Sequence, residues 1–156
     1  MENFIKFLGT AGARFVVSRQ LRASGGLWIH YGGVSLHLDP GPGALVKALG
    51  SRPPLDPASL DAVLVSHRHI DHANDLNIMV EAMTQGGTKR KGAVFLPADA
   101  LAAEPILFSY LKDTLEEIHI LQEGQEYQIG TITFQTPLRH EHPVETYGFR
   151  FLFPEG

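Results

Sequence analysis

The sequence has 156 residues, 44% of them hydrophobic, and a formal net charge of −4. That length predicts one domain with room for a real core. Without cysteine, disulfides and cysteine-ligated zinc fingers are excluded. No apolar run reaches the roughly 18 residues of a membrane span, and Met1–Lys6 lacks the pattern of a signal peptide. These features lead us to expect a cytoplasmic protein with no membrane contact. The negative balance offers no broad basic footprint for nucleic acid.

Phe4 to Leu8 reads as a first strand ending at Gly9. Residues 10–25 read as irregular, with Val16 and Val17 as a short strand piece. Arg14, Arg19 and Arg22 give this segment three cations and no acid, which suits either an anion-holding loop or a solvated one. Leu27–Tyr31 and Val34–Leu38 flank Gly32-Gly33, a strong hairpin signal. His30 and His37 lie inside these strands without a second ligand at useful spacing, so both read as structural. Asp39 ends the second strand before Pro40-Gly41-Pro42-Gly43, a forced turn. There it either orients a metal-liganding histidine or caps the turn. Ala44–Leu49 predicts a short helix stopped by Gly50. A proline-rich connector, a helical turn at 58–60 and a buried strand over 61–65 follow.

That strand delivers Ser66-His67-Arg68-His69-Ile70-Asp71-His72, four potential ligands in the order His-x-His-x-Asp-His. Neutral imidazoles with a hard carboxylate suit zinc and also accept manganese or iron. In extended backbone His67 and His69 point the same way and can share one ion. Asp71 and His72 follow as the chain turns, and can hold a second ion beside the first. The strand-to-helix position is where ligands bind in open α/β sheets.

A helix is predicted from Asn74 to Gln85, with Leu76, Met79, Val80 and Met83 as its core stripe. Lys89, Arg90 and Lys91 form the one basic run, read as a solvated loop before a phosphate contact. Ala93–Leu96 is a strand, and Pro97 opens a helix. Residues 98–117 read as helical pieces in which Phe108, Tyr110 and Leu111 cover a cleft or pack. Strands follow at 118–121, 125–129 and 131–136, with His119 expected to face solvent. Leu138–Pro143 carries His140 and His142, of equal parity and both open as a distant ligand. Tyr147–Phe153 reads as the last strand, and 154–156 as the start of a hairpin turn.

The His67–His72 motif resembles the signature of the metallo-β-lactamase superfamily. Phe7–Gly12 resembles the glycine-rich turn after that fold's first strand, and Leu36–Gly41 its strand-Asp-Gly turn. His142 with Tyr147-Gly148-Phe149-Arg150 is similar to the third-histidine region of the ribonuclease Z-like branch. The resemblance covers essentially the whole chain. It implies an α/β fold, a four-layer αββα sandwich, with residues 1–156 as one domain truncated after the third-histidine strand. It also implies His142, rather than His140, as the third ligand of the first ion with His67 and His69. Asp71 and His72 would hold the second ion, with Asp71 also orienting the nucleophile as catalytic residue.

In the resembled family the second half of the sandwich brings a bridging Asp and a final His, and neither has a matching position here. We therefore expect one or two ions, Zn2+ before Mn2+ or Fe2+, and, from the exposed sheet edge and apolar face, a homodimer or else a poorly soluble monomer. The expected chemistry is hydrolysis of a phosphodiester, with RNA as one candidate substrate, by a metal-bound hydroxide. Thioester or other acyl hydrolysis at the same site is the second expectation, and a catalytically inactive truncated module is the third.

Overall fold

The structure is a computed structural model that describes residues 2–154, with the Arg14 side chain outside the description. Glu155 and Gly156, expected to begin a turn, also lie outside it.

Two sheets make the frame. The larger has six strands in sequential order: β1 (Phe4–Gly9), β2 (Ser24–Tyr31), β3 (Val34–Leu38), β4 (Ala62–Leu64), β5 (Ala93–Leu96) and β6 (Glu117–Ile120). The first three strands pair antiparallel, the β2–β3 hairpin turning at Gly32-Gly33, and β3 to β6 run parallel. The smaller sheet is an antiparallel meander of β7 (Gln125–Ile129), β8 (Ile132–Thr136) and β9 (Arg150–Leu152).

Alternation sets the layers. In β4, Val63 packs toward the helices, while Ala62 and Leu64 pack toward the second sheet. All three are fully buried, as expected of a strand covered on both faces. The helical layer holds α2 (Ala44–Leu49), α3 (Ile70–Ala73) and α4 (Leu76–Met83). Leu76, Met79, Val80 and Met83, the predicted stripe, have no exposed surface and sit against Val63, Val94 and Leu96. Between the sheets, Ile29, Leu36, Leu64 and Phe95 meet Phe134 and Tyr147. Ile5 and Phe7 of the edge strand β1 remain exposed.

Three expectations need correction. Residues 14–18 are not a strand piece but a short helix, α1 (Arg14–Ser18), with Val17 buried and Phe15 exposed. One turn anchors a single apolar side chain here, whereas a strand would need a partner edge. His119 faces solvent only in part: one side of its ring stacks on Phe95 at 4.4 Å at the edge of the inter-sheet core, while its Nε2 pairs with the exposed Glu117 carboxylate. Exposure barely alternates along this edge strand, Ile120 being 37% exposed as well. Residues 98–117 do come as helical pieces, a 3-10 turn at Ala98–Leu101 and α5 (Ser109–Lys112), with Glu117 already in β6. Leu111 packs in the core, while Phe108 and Tyr110 are exposed. Finally, Tyr147 makes one isolated bridge to Arg139, and the last strand starts only at Arg150. In the basic run, Arg90 donates to the Leu115 carbonyl (3.0 Å) and Lys91 to that of Ala58 (2.6 Å), which ties the loop down.

His30 and His37 lie in this frame as core histidines. His30 Nδ1 pairs with Ser35 Oγ at 2.8 Å. The fully buried His37 donates from Nε2 to the Gly25 carbonyl at 2.7 Å. Burial pushes its pKa down to about 4, against the opposing Gly25 hydrogen bond. An unfolded imidazole takes up its proton near 6.5. Between pH 6.5 and 4 the unfolded chain therefore binds more protons, so stability is complete above that window and is lost as pH falls through it. The expected loss from His37 is about 3 kcal/mol. Denaturant unfolding of the metal-free chain between pH 7 and pH 4 reads this loss together with that of any other buried histidine, and the difference from His37→Phe isolates it. His37→Phe should flatten that part of the slope, and an unchanged slope would place the proton uptake elsewhere.

Candidate metal centre

The centre forms at the ends of β3 and β4, which run parallel and stop side by side. Asp39 follows β3, and Ser66 and His67 follow β4. The backbone makes the meeting tight: Asp39 N–H donates to the Leu64 carbonyl at 2.8 Å. Asp39 itself turns with φ 55°, a left-handed conformation that Asp tolerates better than most residues. At Gly41, a Cβ would lie 2.1 Å from the Asp71 carbonyl oxygen and 2.2 Å from that of Ser24. Only glycine lets the turn after Asp39 pass beneath the motif.

The Asp39 carboxylate organises what stands above it. Oδ1 accepts from Ser66 N–H (2.7 Å); Oδ2 accepts from the Ser66 hydroxyl (2.7 Å) and from His72 Nδ1 (2.9 Å). With its proton committed to Asp39, the Ser66 hydroxyl accepts from His67 Nδ1 at 2.9 Å. Both imidazoles are thereby assigned the tautomer that leaves Nε2 with its lone pair. Orienting a ligand imidazole through its other nitrogen is the usual device of metal sites. The even choice left open for Asp39 resolves toward the histidines. Ser66 was missed; its only sequence signal was a hydroxyl beside the first motif histidine.

The structure brings His67, His69 and His142 together, with ligand atoms within 4.8 Å of one another. Their ring centroids form a near-equilateral triangle of 5.0, 5.0 and 4.9 Å, the rings crossing at 63–80°. Convergence without stacking is what three nitrogen ligands around one ion require, so the donor set fits a divalent metal. A second group, His67, Asp71 and His72, meets the same distance test. His67 thus belongs to both, which the sequence reading did not foresee. His72 Nε2 lies 3.5 Å from the Asp71 carboxylate. His140 is exposed, hydrogen-bonds through its backbone to Thr146, and belongs to neither group. The cluster opens on a cleft of about 530 Å3 walled by Ala13, Asp71 and Pro143 besides the histidines.

Charge is distributed unevenly. Burial and the neighbouring His72 push His67 down to about 4, with His69 and His142 adding to the effect against Asp39. His67 is therefore neutral, the form that binds metal. For His72, burial also favours the neutral form, but the Asp39 hydrogen bond and charge, with Asp71, outweigh it and raise the pKa.

Residues 35–155 match the family model described as a β-lactamase superfamily domain. An uncharacterized protein of Methanocaldococcus jannaschii is 36% identical over 152 residues, 94% of this chain and 56% of that protein. The ribonuclease Z of Kineococcus radiotolerans is 26% identical over 96% of this chain and 47% of its own length. Among solved structures, the metallo-β-lactamase fold protein YhfI from Bacillus subtilis matches with a TM-score of 0.69 at 24% identity, covering 95% of this chain and 57% of that one. The chain spans about half the length of the curated relatives it matches.

Asp39→Asn should lower the His72 pKa, because its main charged partner is neutralised while one acceptor remains. Following the His72 ring resonances of the metal-free chain by NMR from pH 5 to 9 reads this directly. An unmoved His72 midpoint would show that Asp39 does not set its charge. Asp39→Ala, which leaves three donors unpaired, two of them on the buried Ser66, should destabilise the fold by about 3 kcal/mol.

Proposed function

Because the chain belongs to the β-lactamase superfamily, with residues 35–155 inside the family model, we propose that it is the metal-holding part of a metal-dependent hydrolase acting on phosphodiesters. The observation that carries this reading is the triangle of His67, His69 and His142 opening on a cleft. His67, His69 and His142 would hold one ion, and Asp71 and His72, with His67 between the groups, would hold a second. A divalent ion bound there supplies Lewis acidity toward a phosphoryl oxygen and makes water a nucleophile near neutral pH. Zinc suits the three-nitrogen set best, with manganese or iron as substitutes.

The protein's own groups do the arranging. Asp39 and Ser66 keep His67 and His72 in the tautomers that present Nε2. Asp71 is 7% exposed and reaches the cleft through its carboxylate. There it accepts a hydrogen bond from the attacking water and orients it. Phosphodiester as the substrate class is supported by two features. Arg19 and Arg22 are exposed on the segment that follows the cleft residue Ala13, with the Arg19 guanidinium 4.6 Å over the Phe15 ring. Such cations can face a phosphate. The relatives called ribonuclease Z, at 26% and 27% identity, point the same way and make RNA a candidate substrate.

Zinc-loaded full chain is expected to hydrolyse bis(p-nitrophenyl) phosphate faster than p-nitrophenyl acetate. A chelator should abolish the activity, and His69→Ala should reduce it to background. Faster acetate turnover would move the reading to acyl substrates. Stoichiometric zinc with no turnover of either ester would make the chain a binding module and end the hydrolase reading for it.

A further inference from the structure

A ring of hydrogen bonds runs outside the histidine cluster and uses none of its ligands. Arg68, between His67 and His69, donates from Nη1 to the Asp99 carbonyl (3.1 Å) and from Nη2 to the Glu104 carbonyl (2.8 Å). Asp99 and Glu145 then face each other reciprocally. Glu145 N–H donates to Asp99 Oδ2 at 3.0 Å, and Asp99 N–H donates to Glu145 Oε2 at 3.3 Å. The Tyr147 hydroxyl donates to Glu145 Oε1 at 2.6 Å. Tyr147 N–H donates to the Ser66 carbonyl at 3.1 Å, which closes the ring one residue before His67.

This ring holds the part of the site that regular structure does not. His67 and His69 leave a buried parallel strand, and Asp71 and His72 ride on α3. His142 lies between β8 and β9, in a segment whose one bridge is Arg139 to Tyr147. Carboxylates accepting backbone N–H groups are charge-assisted anchors, suited to fixing such a segment. We propose that Asp99 and Glu145 are positioning residues that set the His142 loop against the motif. The pair thereby controls the affinity of the three-histidine site for its ion. This rests on the reading of His142 as a ligand.

Zinc affinity of the full chain, measured by competition with a chromophoric chelator, tests the pair without any turnover. Glu145→Ala and Asp99→Ala should each bind zinc about ten- to a hundredfold more weakly, the range for residues that orient ligands from outside. Asp99→Asn, which keeps an acceptor for Glu145 N–H, should recover most of the loss. In a His142→Ala background, Glu145→Ala should cost nothing more, because residues acting through one another are not additive. Wild-type affinity in both alanine variants would overturn the proposal while leaving the metal site intact. Additive losses in the double variant would also overturn it, since the bracket would then be a general staple. Unchanged zinc binding in His142→Ala would instead remove His142 as ligand, and the reading beneath the proposal with it. Should the alanine variants fail to fold by circular dichroism, Tyr147→Phe carries the test. It removes one hydroxyl, a partial loss of affinity is expected, and none would overturn the proposal.

Discussion

Everything at this centre depends on one carboxylate at the end of a strand. Asp39 accepts three hydrogen bonds, from the Ser66 amide, the Ser66 hydroxyl and His72 Nδ1. These bonds convert the pairing of β3 with β4 into the orientation of two imidazoles. The chain must take a left-handed turn at Asp39 to reach that arrangement. Backbone strain at such a position persists only where the surroundings over-determine it. Here they do so through the Leu64 carbonyl below, the three donors above, and Gly41 where no side chain fits.

The third histidine of the cluster comes from elsewhere, and that makes the candidate site a property of the whole sandwich. His142 lies in the connection between β8 and β9 of the second sheet, which docks on the first through Phe134 against Phe95 at 5.2 Å and through the buried Tyr147. No local segment can gather His67, His69 and His142. They meet only when both sheets are packed, so the inter-sheet core is as much a part of the centre as its donors are. The helical face serves differently. Leu76 and Met79 bury α4 against the larger sheet and thereby hold α3, with Asp71 and His72, above the strand ends.

The sequence made the frame of the site readable because two strong signals coincided there. A continuous apolar run, Ala62–Val65, named a strand buried on both faces, and four ligand-type residues at once after it had no role in packing. The hairpin at Gly32-Gly33 and α2 with Gly50 were legible for similar reasons, being local turn and cap chemistry. What stayed hidden depends on contacts between distant residues. Parity left His140 and His142 equal, and resemblance rather than spacing favoured His142. Ser66 carries no signal until Asp39 stands beneath it. The half-buried setting of His119 was not legible because β6 is an edge strand, where alternation between partly buried and exposed residues is weak. Val16 and Val17 look like strand, yet a single buried contact at Val17 decides for a helical turn.

The electrostatics of the centre bear on how it can be filled. Protons and a metal compete for the same nitrogens, since a ligating imidazole must be neutral. At His67 burial and the surrounding imidazoles have already won that contest for the metal, with a pKa near 4. At His72 the two carboxylates favour the proton. The Asp39 hydrogen bond that orients His72 thus also makes that imidazole easier to protonate than His67, which burial keeps neutral. A cation bound at either group binds the folded chain alone, so its binding energy adds to the stability of the sandwich that assembles it.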